Sequence, residues 1–128
     1  MMYLTYAISL AATTANSVYL AVPCRGIVKG GYAAYSEETD KDETVTIEQG
    51  SDDVLVFTPA ADATAEGTKM DGVRNATYGD LIFDPDSATV DEQVLKVTVP
   101  NTFDTAGVLS LVIFYDEAAS VFQAASEA

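Results

Sequence analysis

The sequence predicts an all-β fold: a single antiparallel β-sandwich or jelly roll of about seven to eight strands, with extended terminal arms. Three observations carry this prediction. Short apolar runs recur between Gly, Pro and Asp punctuation. Before residue 116 no stretch shows convincing helical periodicity. One run, residues 107–115 (GVLSLVIFY), is β-branched, aromatic or long aliphatic at every position except Gly107 and Ser110. There Leu109, Leu111, Ile113 and Tyr115 point one way, and Val108, Ser110, Val112 and Phe114 the other. Both faces are largely apolar, so a central strand covered on two sides is expected, with a neighbouring subunit as a candidate for the second cover.

The remaining elements follow in order. Residues 2–10 read as a strand or arm, with Tyr3, Thr5, Ala7 and Ser9 against Leu4, Tyr6, Ile8 and Leu10. Residues 11–16 are a small polar connection. Residues 17–22 form a second strand, stopped by Pro23, which has no N–H to give a ladder. Residues 26–35 (GIVKGGYAAY) form a third, in which Gly30 and Gly31 mark a bulge or the close approach of another backbone. Residues 36–42 (SEETDKD) are a solvated loop. Residues 43–49, with Val45 and Ile47 inward, and residues 53–58 make a hairpin around Gly50, Ser51 and Asp52.

Residues 59–67 are a small-residue loop with room for one helical turn. Residues 68–76 have only Met70 and Val73 as strong apolar side chains, and residues 80–83 suit a short strand. Residues 92–99 alternate, with Val94 and Lys96 on one face and Leu95, Val97 and Val99 on the other, and stop at Pro100. In residues 116–128 the spacing of Ala118, Val121, Phe122 and Ala125 is that of a helix face. The stretch is too short to hold a helix alone in water. The expected organisation is one domain: an N-terminal strand or arm over 1–16, the sandwich over 17–117 and a C-terminal tail over 118–128.

A chain of 128 residues can bury a core without staples. Its charge is lopsided, with 20 Asp and Glu against 6 Lys and Arg, no His and a net charge of −14. The cations are scattered singly at Arg25, Lys29, Lys41, Lys69, Arg74 and Lys96. Nucleic acid, whose binding needs phosphates neutralised, and anionic membranes are therefore poor partners. Solubility and resistance to self-association are the plain consequences of the acidity. No Lys or Arg precedes Arg25, so the apolar N-terminal run lacks the positive flank of a secretory leader. No run reaches the ~18 apolar residues of a membrane helix. Cys24 is the only cysteine and follows Pro23 in an apolar run, where a small buried hydrophobe is expected.

Without His there is no imidazole base, no Ser-His-Asp arrangement and no His metal ligand. Residues 26–31 match neither phosphate-loop spacing. The expectation is no enzyme and no cofactor. Carboxylates are the abundant reactive groups. Residues 84–92 (DPDSATVDE) fail as an EF-hand, with Thr89 where the turn Gly belongs and Leu95 where the bidentate Glu belongs. Asp84, Asp86, Asp91 and Glu92 remain candidates for a looser calcium site, against a solvated loop with Asx-turns. Glu37, Glu38, Asp40 and Asp42 carry the same two readings. Asn75, Ala76 and Thr77 match the glycosylation triplet without a secretory signal beside it. Of seven tyrosines, Tyr3, Tyr6, Tyr19, Tyr32 and Tyr35 fall in the first 35 residues. Tyrosine serves protein interfaces, being broad, rigid and amphipathic, and it also plugs the ends of sandwiches. These five and Phe122 are the contact candidates.

The order of motifs resembles the capsid decoration, or cement, proteins of tailed bacteriophages. The resemblance spans roughly residues 17–117. It rests on 18–26 (VYLAVPCRG), 27–35 (IVKGGYAAY), 43–49 (ETVTIEQ), 92–99 and 108–115. It implies a non-enzymatic virion protein, made in the host cytoplasm, that binds the outer surface of an icosahedral capsid. The implied partner is the major capsid protein, and the implied assembly a homo-oligomer, often a trimer at local threefold positions. The family has no catalytic motif to carry over. The residues alone leave two alternatives: a carbohydrate-binding β-sandwich module, which needs an exposed aromatic platform, and a calcium-dependent adhesion module.

Overall fold

The computed structural model describes residues 1–100 and 103–117. It is all-β, as the sequence predicts. Its strands are β1 (Met2–Leu10), β2 (Asn16–Ala21), β3 (Gly26–Tyr35), β4 (Val45–Gln49), β5 (Asp52–Phe57), β6 (Met70–Arg74), β7 (Ile82–Phe83), β8 (Val94–Val99) and β9 (Gly107–Asp116). A 3₁₀ turn occupies Val90–Glu92. Every pairing is antiparallel, in the order β1-β9-β3-β6-β5-β4-β8-β2, with β7 hooked onto the start of β3.

The two layers of the sandwich are the walls of a flattened, nearly closed barrel. One wall is β1, β9 and β3; the other is β2, β8, β4 and β5. The corner is turned by β6, whose Met70 and Asp71 pair with β3 while Gly72, Val73 and Arg74 pair with β5. The core lies between the walls. Ile8, Leu10, Val28, Leu109, Leu111, Ile113 and Tyr115 meet Val45, Ile47, Leu55, Phe57, Leu95, Val97 and Val99 there. The predicted alternation of β1 and β8 is observed side chain by side chain. Of the two readings of the N-terminal segment, the strand is the one present: β1 pairs with β9 along its whole length. The tail over 118–128, with its helix-like spacing and Phe122, lies outside the described residues.

The free edges, β1 and β2, lie side by side. Among the described residues no ladder joins them; instead the Tyr6 hydroxyl donates to the Ala21 carbonyl across the gap, at 2.9 Å. Their inward side chains Leu4, Tyr6, Val18 and Leu20 pack on the core but stay partly exposed. A shallow apolar groove of about 350 Å³ runs there, lined by Tyr3 to Tyr6 and Ala21 to Pro23. Of the two covers expected for β9, the chain itself supplies one. The inner face of β9 is buried, but Val108 and Ser110 on its outer face are exposed, and Val112 and Phe114 only half-buried. A single barrel supplies one core, so nothing within the described residues forms a layer over that side.

Two bulges set which side chains reach the core. On β3, Val28 opposes Tyr115 and Gly30 opposes Phe114, leaving Lys29 as an extra residue. The buried positions accordingly switch from Gly26 and Val28 to Gly31, Ala33 and Tyr35. On β5 the register slips at Val54, and Val54 and Leu55 are both buried. Both expectations for the glycine pair are realised: the bulge ends at Gly30, and Gly31 lies so close to β9 that a Cβ would collide with the Val112 carbonyl oxygen and sit 3.3 Å from the Ile113 Cα. Gly31→Ala is expected to lower stability by about 1–3 kcal/mol, the usual cost of overpacking. Gly30→Ala, whose Cβ would rest 3.4 Å from the Phe114 ring in ordinary contact, should change little. Denaturant midpoints of the two variants check the contrast.

Candidate functional site

Two regions of the barrel stand apart chemically. The first is the outer face of the β1–β9–β3 wall. Register places Tyr3, Phe114 and Gly30 in one row, Thr5, Val112 and Tyr32 in the next, then Ala7, Ser110 and Ala34, and finally Ser9 beside Val108. None of these positions carries a charge, in a chain of net charge −14. The Phe114 ring is gripped edge-on by Tyr3 and Tyr32, at centroid distances of 5.4 and 5.8 Å. Tyr3 remains 69% exposed and Tyr32 36%. Beyond this cluster Ala7, Ser110 and Ala34 present only small side chains. Charge resumes at the β6 border, where Lys69 stands over the Tyr32 ring at 5.4 Å and pairs with Asp71 at 3.3 Å. The opposite wall shows Glu48, Thr98, Lys96 and Asp53 to solvent, with the Thr98 hydroxyl bonded to the Glu48 carboxylate.

The tyrosines divide between the two roles expected of them. Tyr3 and Tyr32 belong to the uncharged face. Tyr19 is 63% exposed on β2, on the opposite wall. Tyr6 spans the seam. Tyr35 is a plug: it is 3% exposed, its hydroxyl donates to the Thr105 carbonyl at 2.6 Å, and its ring meets buried Phe103 edge-on at 4.8 Å. It has no surface to offer a partner. Tyr115 is fully buried, its hydroxyl donating to the Cys24 carbonyl at 2.6 Å; burial pushes its pKa up strongly. Cys24 is half-buried and bonded to Glu117, and burial, then that bond, raises its thiol pKa, so it is no ready nucleophile.

The second region is acidic. Asp84, Asp86, Asp91 and Glu92 do share one loop, but its bonding is internal. Asp84 Oδ1 accepts the Asp86 N–H at 2.9 Å, an Asx-turn, and the Ser87 hydroxyl donates to Glu92 Oε1 at 2.9 Å. Among the described residues the carboxylates that converge are elsewhere: Asp40, Asp42 and Glu43, with one oxygen from each lying within 4.8 Å of the others. Asp40 and Asp42 were sequence candidates; Glu37 and Glu38 are not in the group. Glu43 is the residue that sequence reasoning missed, and a signal existed. It stands in phase with inward Val45 and Ile47, so alternation alone sends it to the core.

Glu43 is indeed 2% exposed. Its Oε1 accepts the Asp40 N–H at 2.6 Å, while buried Oε2 has no hydrogen-bond partner. Burial pushes its pKa above the ordinary 4.5; the Asp40 N–H opposes this, and the Asp40, Asp104 and Asp42 carboxylates reinforce it. The loop is fixed from across the barrel end. Thr39 and Thr64 exchange backbone bonds at 2.9 and 2.7 Å, and Asp40 Oδ1 accepts the Ala63 N–H at 3.0 Å.

Comparison with known proteins yields no matching family model, no matching curated protein and no matching solved structure. The functional reading therefore stands on the chain's own geometry.

The buried carboxyl has a pH signature. A carboxyl whose folded pKa is raised binds more protons folded than unfolded, so stability falls as pH rises above the unfolded value of 4.5. Glu43→Gln keeps the acceptor for the Asp40 N–H and removes the charge. In calcium-free buffer its melting temperature should match that of the parent below pH 4.5 and increasingly exceed it as pH rises toward neutrality. Melting curves across that range check both sign and window.

Proposed function

We propose that this chain is a non-catalytic structural protein that docks through the outer face of its β1–β9–β3 wall. It would seat there against a protein lattice, in the manner of a capsid decoration protein. The observation that carries the reading is the contrast between that face, uncharged and built of aromatic and small side chains, and an otherwise acidic surface. Interface cores are depleted in charge and enriched in aromatic residues, and contiguous apolar patches on small proteins mark interaction sites. Ala7, Ser110 and Ala34 let an opposing backbone approach closely, while Tyr3 and Tyr32 offer broad anchors beside Phe114.

The mechanism needs no chemistry. A protein that binds the assembled lattice and not its free subunits stabilises the lattice by mass action. On the phage reading the lattice is the outer surface of an icosahedral capsid, the partner its major capsid protein, and the bound form a homotrimer across capsomer joints. The acidic loops would then face solvent. A sugar-binding role fits less well, because the charged groups that border Tyr32, Lys69 and Asp71, pair with each other.

The test combines light scattering with co-sedimentation on expanded phage capsids. Wild type should form a defined oligomer and pellet with capsids. Ser110→Glu, exposed and flanked by Ala7 and Ala34, should weaken both at least tenfold with little change in melting temperature. A monomer that never pellets, or a Ser110→Glu protein that binds unchanged, would refute the proposal.

A further inference from the structure

The docking face does not explain the acidic cluster on the β3–β4 loop. Oxygens bound to one calcium ion at ~2.3–2.6 Å cannot lie further apart than about 5 Å. Asp40, Asp42 and Glu43 meet that limit, each placing a carboxylate oxygen within 4.8 Å of the other two. Exposed acids gather without an ion often enough, so convergence alone decides nothing. The deciding group is Glu43. It is buried, its carboxylate belongs to the cluster, and Oε2 lies out of solvent with no donor bonded to it. Among the described residues no Lys or Arg forms an ion pair with Glu43 or Asp40. A buried carboxylate oxygen left without a donor or counter-charge is an acceptor in want of a cation.

We infer that Asp40, Asp42 and Glu43 form a binding site for one divalent cation of the calcium class, with Glu43 Oε2 as its innermost ligand. The donors are all oxygen, which suits a hard cation and not zinc or copper. Several carboxylates and an irregular loop suit calcium better than magnesium, which demands near-octahedral geometry and keeps its waters. Asp104 adds negative potential from the segment before β9. Hydrogen bonds across the barrel end already orient the loop: Asp40 Oδ1 takes the Ala63 N–H, and Asp62 Oδ1 takes the Lys41 N–H at 3.2 Å. A bound ion would fasten the β3–β4 loop, and through these bonds the β5–β6 loop, over the barrel end that Tyr35 and Phe103 plug.

The experiment uses the full chain stripped with EDTA, then titrated with calcium chloride at constant ionic strength, with terbium as a luminescent probe. Calcium should raise the melting temperature saturably. Terbium should give tyrosine-sensitised emission that calcium displaces, since Tyr35 shares Glu43's electrostatic neighbourhood. Glu43→Gln should lose the calcium-dependent shift and at least tenfold of the terbium affinity, while Asp86→Asn, in the other acidic loop, should keep both. No saturable response in wild type overturns the site. So does an undiminished response in Glu43→Gln, which would trace the effect to general screening, or loss of the response in Asp86→Asn. Should Glu43→Gln fail to fold in EDTA, Asp42→Asn is read the same way.

Discussion

The double pairing of β9 sets most of what the barrel can be. Its backbone is hydrogen-bonded to β1 on one side and to β3 on the other, and the two registers fix what each neighbour turns inward. Leu109, Leu111, Ile113 and Tyr115 form the floor on which the opposite wall packs. Tyr115 extends that role, because its hydroxyl reaches the carbonyls of Cys24 and, at 3.4 Å, Phe83, binding the β2–β3 connection and β7 to the strand. A slip of one residue would turn this row to solvent and the outer row into the core. The core and the uncharged outer face are thus two readings of one register.

Strands with clean alternation were legible in the sequence. Residues 26–35 match β3, residues 92–99 contain β8, and the hairpin at Gly50 is present, with that glycine at φ 62°. The corner strand β6 was much less so. With two residues bonded to one wall and three to the other, it shows neither a continuous apolar face nor a length that signals a strand. Whether the walls stay apart as a sandwich or join as a barrel depends on that strand, so alternation could not decide it. The candidate sites were legible in part. Acidic loops 36–42 and 84–92 look alike in composition, and only the fold shows that one directs a buried carboxylate into its cluster while the other satisfies itself with Asx and Ser bonds. Tyr32 and Tyr35, three apart on an alternating strand, face opposite ways as alternation requires; the bulge before them decides which faces out.

The scarce cations also shape the surface. Arg74 donates to the carbonyls of Val28 and Gly79 and pairs with Asp80, whose carboxyl it holds below the usual range. Lys69 sits on Tyr32. Positive charge at these two positions is thus tied into local structure, and the acidic loops keep a repulsive field toward other copies of the chain. Such a field selects by exclusion. Close approach of another acidic surface is least opposed where uncharged side chains are gathered, and that is the row of Ala7, Ser110 and Ala34 beside Phe114.

The bulge at Lys29 has a consequence for how this chain can vary. It inverts the parity of β3, so everything after it reads one position out of step with everything before. Removing a single residue there would carry Tyr35 from the plug to the surface and bring Tyr32 inside, exchanging the strand's lining for its exterior. Substitutions in β3 can be absorbed one at a time, but a change of length cannot. Within a lineage of such proteins, the count of residues between Val28 and Gly31 should be preserved more strictly than their identities.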